Sequence, residues 1–198
     1  MTEGLPRILV LGLGNDILGD DAVGLLAARR LRALLPETVD VVESGGGGLD
    51  LLDALEGYDR AVLLDAILTG KHPPGTILEF SAEDFKKDDA PSPHYAGLPT
   101  VIQLAESLGI RFPTIFQIVA VEVENPYEVL EGLSHPVETA LPAIVERVRR
   151  IVHGWLFDSS PPSSLVCLAY LGLTWLRCPS GRHKAWTLTQ TEAVSNTS

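Results

Sequence analysis

Short apolar runs alternate with segments of helical periodicity over the first 157 residues of the chain. The run RILVLG at 7–12 is unbroken and ends in glycine, as is typical of a strand that is buried on both faces. From 20 to 35 the apolar positions recur at helical spacing, with Asp20 placed to cap the helix and Pro36 to end it. This order of strand, loop and helix predicts the first unit of a parallel sheet.

The same alternation continues along the chain. Further strands are predicted at 39–42, 60–64, 76–80 and 114–121, and further helices at 49–55, 95–109 and 136–155. Pro142 inside the last helix indicates a kink or a later start. The strand TILEF follows a proline-rich turn, which suits an antiparallel strand at the edge of a sheet. The expected fold is therefore α/β, a three-layer αβα sandwich whose twisted sheet is mostly parallel, with one antiparallel edge strand.

The texture of the sequence changes after Phe157. A segment rich in serine and proline, SSPPSS, precedes the apolar stretch LVCLAYLGLTWL and a polar tail. At 12 residues, that stretch is well short of the roughly 20 that span a bilayer as a helix, so no membrane insertion is expected. We therefore predict one domain at 1–157 and a C-terminal extension at 158–198. A frayed tail, a peripheral helix and a partner-binding segment are all open for that extension.

The chain carries a formal net charge of −11. Residues 158–198 hold three basic and two acidic residues, so the other 12 basic and 24 acidic residues give the predicted domain a charge of −12. Such a surface repels phosphate backbones, which argues against a nucleic-acid partner and is compatible with a cation, a basic peptide or solubility alone. The two cysteines, Cys167 and Cys178, form no disulfide framework, which fits a reducing compartment. We expect a cytoplasmic monomer without a signal peptide.

Three polar residues follow predicted strands or open the helices beside them. Asp21 opens the first helix, Asp65 follows four apolar residues, and His94 lies where a charged loop meets a helix. Ligands of open α/β sheets bind at the carboxyl ends of the strands, which predicts that these side chains converge. Two carboxylates and one imidazole form an incomplete ligand set for a divalent transition metal such as nickel, zinc or iron. Helix capping for Asp21 and a buried structural hydrogen bond for Asp65 are the alternatives.

Glycines shape two of the predicted loops. Gly12 and Gly14 match the first two glycines of a dinucleotide-binding fingerprint, but Ile17 stands where the third should be, which weighs against a nucleotide site. A run of four glycines after the second strand allows a peptide backbone to approach closely, although a flexible crossover has the same composition. We assign the following residues to a substrate cleft: Gly12, Gly14, Asn15, Gly45 and Gly46.

The sequence lacks the usual protease motifs: it has no HExxH helix, no GxSxG elbow and no cysteine in the strand-end loops. The opening ILVLGLGNDILGDDAVG nevertheless resembles the first block of nickel-iron hydrogenase maturation endopeptidases, a GxGN loop followed by a DD or DE pair and a glycine. LLDAI, SPHYAGL and PVETALPAIV are similar to the later blocks of that family, in the same order, over about 7–153. The fold expected with this resemblance is of the phosphorylase/hydrolase-like type.

The resemblance implies an aspartic-type endopeptidase that removes a C-terminal peptide from the large-subunit precursor of a nickel-iron hydrogenase after nickel has been inserted. It also implies that Asp21, Asp65 and His94 contact nickel that the precursor carries, and that Asp21 and Asp65 are catalytic. Whether the ion or an aspartate activates water stays open. The main alternative is a non-catalytic module that caps or escorts a metallocentre.

The sequence departs from the family pattern in two blocks. Glu43 and Ser44, followed by glycines, stand where relatives often have a DGG-type loop. After the fifth strand, AVEVENP replaces a common proline-glutamate pair, so Glu122 and Glu124 keep the acidity while their roles stay open. The chain after about 157 has no counterpart in the family pattern.

Overall fold

Five strands and four α-helices alternate in the part of the chain that the structure describes. The computed structural model describes residues 6–81, 84, 94 and 98–157, so the predicted extension at 158–198 lies outside the described residues. In chain order the elements are β1 (Ile8–Leu13), a 3₁₀ helix (Gly19–Ala22), α1 (Val23–Arg32), β2 (Val39–Ser44), α2 (Asp50–Leu55), β3 (Arg60–Ile67), β4 (Ile77–Ser81), α3 (Leu98–Leu108), β5 (Ile115–Glu122) and α4 (His135–Phe157). Among these residues, no helix is both long and apolar enough to cross a membrane.

The strands form a five-stranded sheet in the order β2-β1-β3-β5-β4. β1 pairs in parallel with β2 and β3, and β3 pairs in parallel with β5. β4 pairs antiparallel with β5 at the edge of the sheet, with Ile77 opposite Val121. The α/β class, the mostly parallel sheet and the antiparallel edge strand are therefore confirmed.

Successive residues of each strand face opposite sides of the sheet, and helices cover both sides. In β1, Ile8 and Val10 pack with α1 and α4, whereas Leu9, Leu11 and Leu13 pack with α2 and α3. All five side chains are at most 1% exposed. The unbroken apolar run of β1 thus belongs to a central strand, and the sheet is the middle layer of a three-layer αβα sandwich.

The helix predicted at 20–35 is in fact a 3₁₀ helix followed by α1, and the prediction that Asp20 caps it is wrong. Neither helix start has a side-chain cap. The carboxylate of Asp20 instead accepts hydrogen bonds from the backbone N–H of Ser134 (2.7 Å) and from its hydroxyl (2.8 Å). Asp20 therefore ties the loop after β1 to the start of α4.

Two further boundaries differ from the prediction. β3 does not end at Asp65 but continues to Ile67, because β5 pairs with it over these residues, with Asp65 opposite Ala120. α4 begins at His135 and runs through Pro142, so the later start is wrong. The apolar face of α4 packs on the sheet both before and after the proline, which offsets the hydrogen bond that proline cannot donate.

α1 lies so close to the sheet that backbone touches backbone. A Cβ on Gly24 would overlap the carbonyl oxygens of Leu13 and Leu64, and one on Gly12 would stand 2.7 Å from the Cβ of Ala28. Both positions therefore require glycine. This contact holds the start of α1, and with it the preceding 3₁₀ helix, against the carboxyl ends of β1 and β3.

Asp59 ties together the opposite, amino edge of the sheet. Its carboxylate accepts hydrogen bonds from the backbone N–H of Arg7 (2.8 Å) and from the guanidinium of Arg111 (2.7 to 3.0 Å). Its backbone carbonyl accepts one from the N–H of Thr114, just before β5 (3.0 Å). The bonds from Arg111 hold the pKa of Asp59 below its ordinary value, so the ionised carboxylate stabilises the fold.

Candidate metal centre and active site

Asp21, Asp65 and His94 meet at the carboxyl edge of the sheet. Each offers one ligand atom, and these three atoms lie within 4.8 Å of one another. The residues are 44 and 29 positions apart in sequence, so the fold brings them together, as the position of each at the end of a strand or in an adjoining loop predicts. Their roles in metal contact and catalysis stay predictions at this point.

Asp65 is positioned by strand pairing. The pairing of β1 with β3 stops at Gly12 and Leu64, while β5 continues alongside β3. Asp65 therefore stands just above the end of β1, on the face that it shares with Leu63. Its side chain is buried, and one oxygen accepts a hydrogen bond from the N–H of Ala66 (2.9 Å).

Asp21 is positioned by the turn that precedes α1. It lies in the 3₁₀ helix and is 9% exposed, and the backbone N–H of Asn15 donates a hydrogen bond to its carboxylate. Burial, and then the negative charge of Asp65, raise the pKa of Asp21, while His94 and the N–H of Asn15 act in the opposite direction. Asp21 thus holds a proton more readily than an exposed aspartate does.

His94 is held between a carboxylate and a glycine backbone. Its Nδ1 lies 3.0 and 3.1 Å from the two oxygens of Asp65, and this hydrogen bond raises the pKa of His94 against the opposing effect of burial. The carbonyl of His94 accepts a bond from the N–H of Gly48 (3.4 Å), and a Cβ on Gly47 would stand 2.8 Å from the Cα of His94. Gly47 therefore lets the histidine backbone approach the end of β2.

The three donors suit one divalent ion that brings further ligands with it. With ligand bonds of about 2.1 Å, opposite ligands of one ion lie about 4.2 Å apart, so donors within 4.8 Å need only small rotations to share it. Imidazole with two carboxylates is a donor set that nickel, zinc and iron accept. Three ligands do not close the shell of a structural site, which suits an ion that arrives with other ligands.

The residues assigned to a substrate cleft border this cluster in different ways. Gly14 has a φ of 140°, and a Cβ there would overlap the carbonyl of Asp21, so it shapes the turn under the aspartate. Asn15 is exposed, and its side chain accepts a hydrogen bond from the N–H of Ile17 (3.2 Å).

The glycines after β2 lie next to this turn. Gly45 is exposed, and a Cβ on it would stand 3.4 Å from the carbonyl oxygen of Gly14. The N–H of Gly46 donates to the hydroxyl of Ser44 (3.1 Å). Gly12 is buried under α1, where it serves packing. Contact of these glycines with substrate stays a prediction.

Comparison with known proteins identifies the family. Residues 26–151 match the family model described as hydrogenase maturation protease, which covers more than half of the chain. The chain belongs to this family.

Individual maturation proteases agree with this assignment. The hydrogenase 2 maturation protease of Escherichia coli K12 is 34% identical over 146 residues, which are 72% of this chain and 88% of that protein. The solved structure of the hydrogenase maturating endopeptidase HybD from E. coli has a TM-score of 0.64 and 32% identity, covering 74% of this chain and 92% of that one. The HybD maturation protease of Thermococcus kodakarensis has a TM-score of 0.59 and 30% identity, covering 73% and 98%. The chain is thus an endopeptidase of the hydrogenase maturation type.

The structure gives a role to Glu122, which the sequence leaves open. Glu122 is buried at the end of β5, and its carboxylate accepts hydrogen bonds from both the N–H and the hydroxyl of Thr69 and from the N–H of Gly70 (2.7 to 2.8 Å). It therefore fixes the loop that follows β3. Gly24, which brings α1 close to the strands, gives no sequence signal beyond glycine itself, whereas Gly47, which brings His94 close to β2, belongs to the run of four glycines that the sequence singles out for close backbone approach.

Proposed function

We propose that this protease removes a C-terminal peptide from the large-subunit precursor of a nickel-iron hydrogenase after recognising nickel that the precursor carries. The observation that carries the proposal is the cluster of Asp21, Asp65 and His94, an incomplete ligand set at the rim of the sheet. Because the nickel belongs to the substrate, the cluster acts as a sensor that completes the coordination of an ion already held elsewhere. Oxygen ligands bind a transition metal weakly enough for the enzyme to release its product.

Asp21 is the better candidate for the base that activates water. The carboxylate of Asp65 is engaged by His94 and by the N–H of Ala66. The carboxylate of Asp21 accepts a hydrogen bond from the N–H of Asn15, and burial raises the pKa of Asp21. A carboxylate in such a position can take a proton from water that attacks the peptide bond, beside a cation that stabilises the developing negative charge. In this scheme Asp65 orients His94 and contributes to the ion contact.

A processing assay tests the proposal. Purified precursor, with and without inserted nickel, is incubated with the wild-type protein, and the shortening of the large subunit is followed on a gel. We expect cleavage of the precursor that contains nickel and no cleavage of the precursor without it. We further propose that the enzyme is cytoplasmic and acts as a monomer. Asp21→Asn and His94→Ala should abolish cleavage while both proteins stay folded, which circular dichroism checks.

Two exposed residues outside the cluster provide matched control variants. Asp53→Asn on α2 and His72→Ala in the turn before β4 repeat the same chemical changes at exposed positions and should cleave normally. Normal cleavage by Asp21→Asn or His94→Ala would reject the roles assigned to these residues. A stable complex of wild-type protein and loaded precursor without shortening would indicate an escort protein instead.

A further inference from the structure

Exposed apolar side chains gather beside the loop that carries Asp21. Ile17 in that loop is 64% exposed, and in the segment between β5 and α4 Tyr127, Val129 and Leu130 are 66%, 76% and 47% exposed. Large apolar side chains that are exposed together on a soluble protein usually mark a surface that another molecule covers. We name these four residues the apolar platform.

Two sets of contacts connect the apolar platform to the candidate active site, and these are called the first and the second joint. At the first joint, Leu18 forms a parallel bridge with Leu130, and the N–H of Gly19 donates a hydrogen bond to the carbonyl of Leu130 (3.2 Å). At the second, the carboxylate of Asp20 holds both the N–H and the hydroxyl of Ser134. A molecule that rests on the platform is thereby positioned relative to Asp21, the residue next in sequence to Asp20.

The surroundings of the apolar platform are acidic. Glu124, Glu128 and Glu131 are exposed in the same segment, and none of the ion pairs found among the described residues neutralises them. A cleft of about 320 Å³, lined by Asp20, Glu124 and Glu128 among others, opens beside Leu130. An apolar centre with an acidic border is complementary to an apolar surface that is bordered by lysine or arginine.

We infer that the apolar platform is the docking surface for the folded part of the hydrogenase large-subunit precursor, outside the peptide that is removed. This inference rests on the proposed function, because it assigns the partner from the substrate of the adjoining site. The occupant presents apolar side chains flanked by basic ones, and its contact with the platform aligns the tail of the precursor with Asp21. Binding energy from this remote surface adds to the affinity for the precursor without taking part in bond cleavage.

The experiment measures cleavage rate against precursor concentration, together with binding of the nickel-loaded precursor by calorimetry. Val129→Asp places a charge on the platform at a position that is already 76% exposed, so the fold is retained. We expect its half-saturating precursor concentration and its Kd to rise on the order of tenfold, with the maximal rate within about twofold of wild type. Leu108→Asp, 63% exposed at the end of α3, is the matched control and should leave both quantities unchanged.

The charge of the border gives a second arm. Glu128→Lys should raise the half-saturating concentration at low salt, and the difference from wild type should shrink as the ionic strength increases. Unchanged binding and half-saturation in Val129→Asp would overturn the docking surface while the proposed function stands. If the wild-type protein binds loaded precursor without cleaving it, the proposed function is rejected. The calorimetric comparison of Val129→Asp with Leu108→Asp would still test the docking surface in that case.

Discussion

The contact between α1 and the sheet makes a sharp prediction for Gly24→Ala. The new Cβ would lie about 1 Å inside ordinary contact with the carbonyl oxygens of Leu13 and Leu64, and both oxygens belong to strands that cannot rotate away. Overpacking of this kind costs up to about 3 kcal/mol. Replacing a helical glycine by alanine by itself raises the free energy of unfolding by about 1 kcal/mol, because alanine has the higher helix propensity. The expected net loss is therefore about 2 kcal/mol, or roughly 4–8 °C in melting temperature for a domain of this size.

Gly154→Ala provides the matched comparison for this experiment. Gly154 also lies inside a helix, α4, but a Cβ there would meet no atom of the described residues within 4 Å. The same substitution should therefore stabilise the protein by roughly 0.5–1 kcal/mol. Urea unfolding of the two variants and the wild type, followed by circular dichroism, measures both changes in the free energy of unfolding. The dependence of that free energy on urea concentration should be the same for all three proteins. If Gly24→Ala is as stable as Gly154→Ala, the helix and the strands are not in backbone contact, and the reasoning about how α1 is positioned fails.

Two further predictions concern the opposite edge of the sheet and the site. Asp59→Asn should lower the free energy of unfolding at pH 7 by about 0.5–1 kcal/mol, because it removes the charge that Arg111 binds in an ion pair exposed to solvent. The pKa of Asp59 is lower in the folded protein than its unfolded value of about 3.9, so this stability is fully present above the unfolded pKa and is lost as the pH falls through the folded pKa. Urea titrations of wild type and variant should therefore converge in acid. A difference in stability that does not depend on pH would contradict this. Gly47→Ala should push the backbone of His94 outward and reduce cleavage roughly 10–100-fold with little change in melting temperature, whereas a normal rate would show that this approach does not position the histidine.

The convergence of Asp21, Asp65 and His94 could be predicted from the sequence because parallel strands all end at one edge. Asp65 directly follows an apolar run, Asp21 follows the first turn, and His94 precedes a helix, so one topological rule places all three together. The apolar run of β1 likewise predicts a central strand.

The contacts that depend on distant partners could not be predicted in this way. Asp20 has the composition and position of a helix cap, but its partner Ser134 lies 114 residues away, and no local pattern indicates that pair. β3 extends beyond its predicted end at Leu64 because its length is set by pairing with β5. Gly24 appears in the sequence as a poor helix former, and only the packed structure shows that two carbonyl groups require it.

β3 and β5 continue past the end of β1, and this bears on how the substrate preference of such an enzyme can change. Asp65 belongs to the hydrogen-bonded lattice of β3 and β5, whereas Tyr127, Val129 and Leu130 of the apolar platform lie in an irregular connection between β5 and α4. Under the proposed docking, insertions or substitutions in that connection would change which precursor fits while the carboxylate keeps its place. Because the strands that hold Asp65 and the connection that is proposed to receive the precursor are different elements, new client preferences can arise without rebuilding the strands that carry the carboxylate.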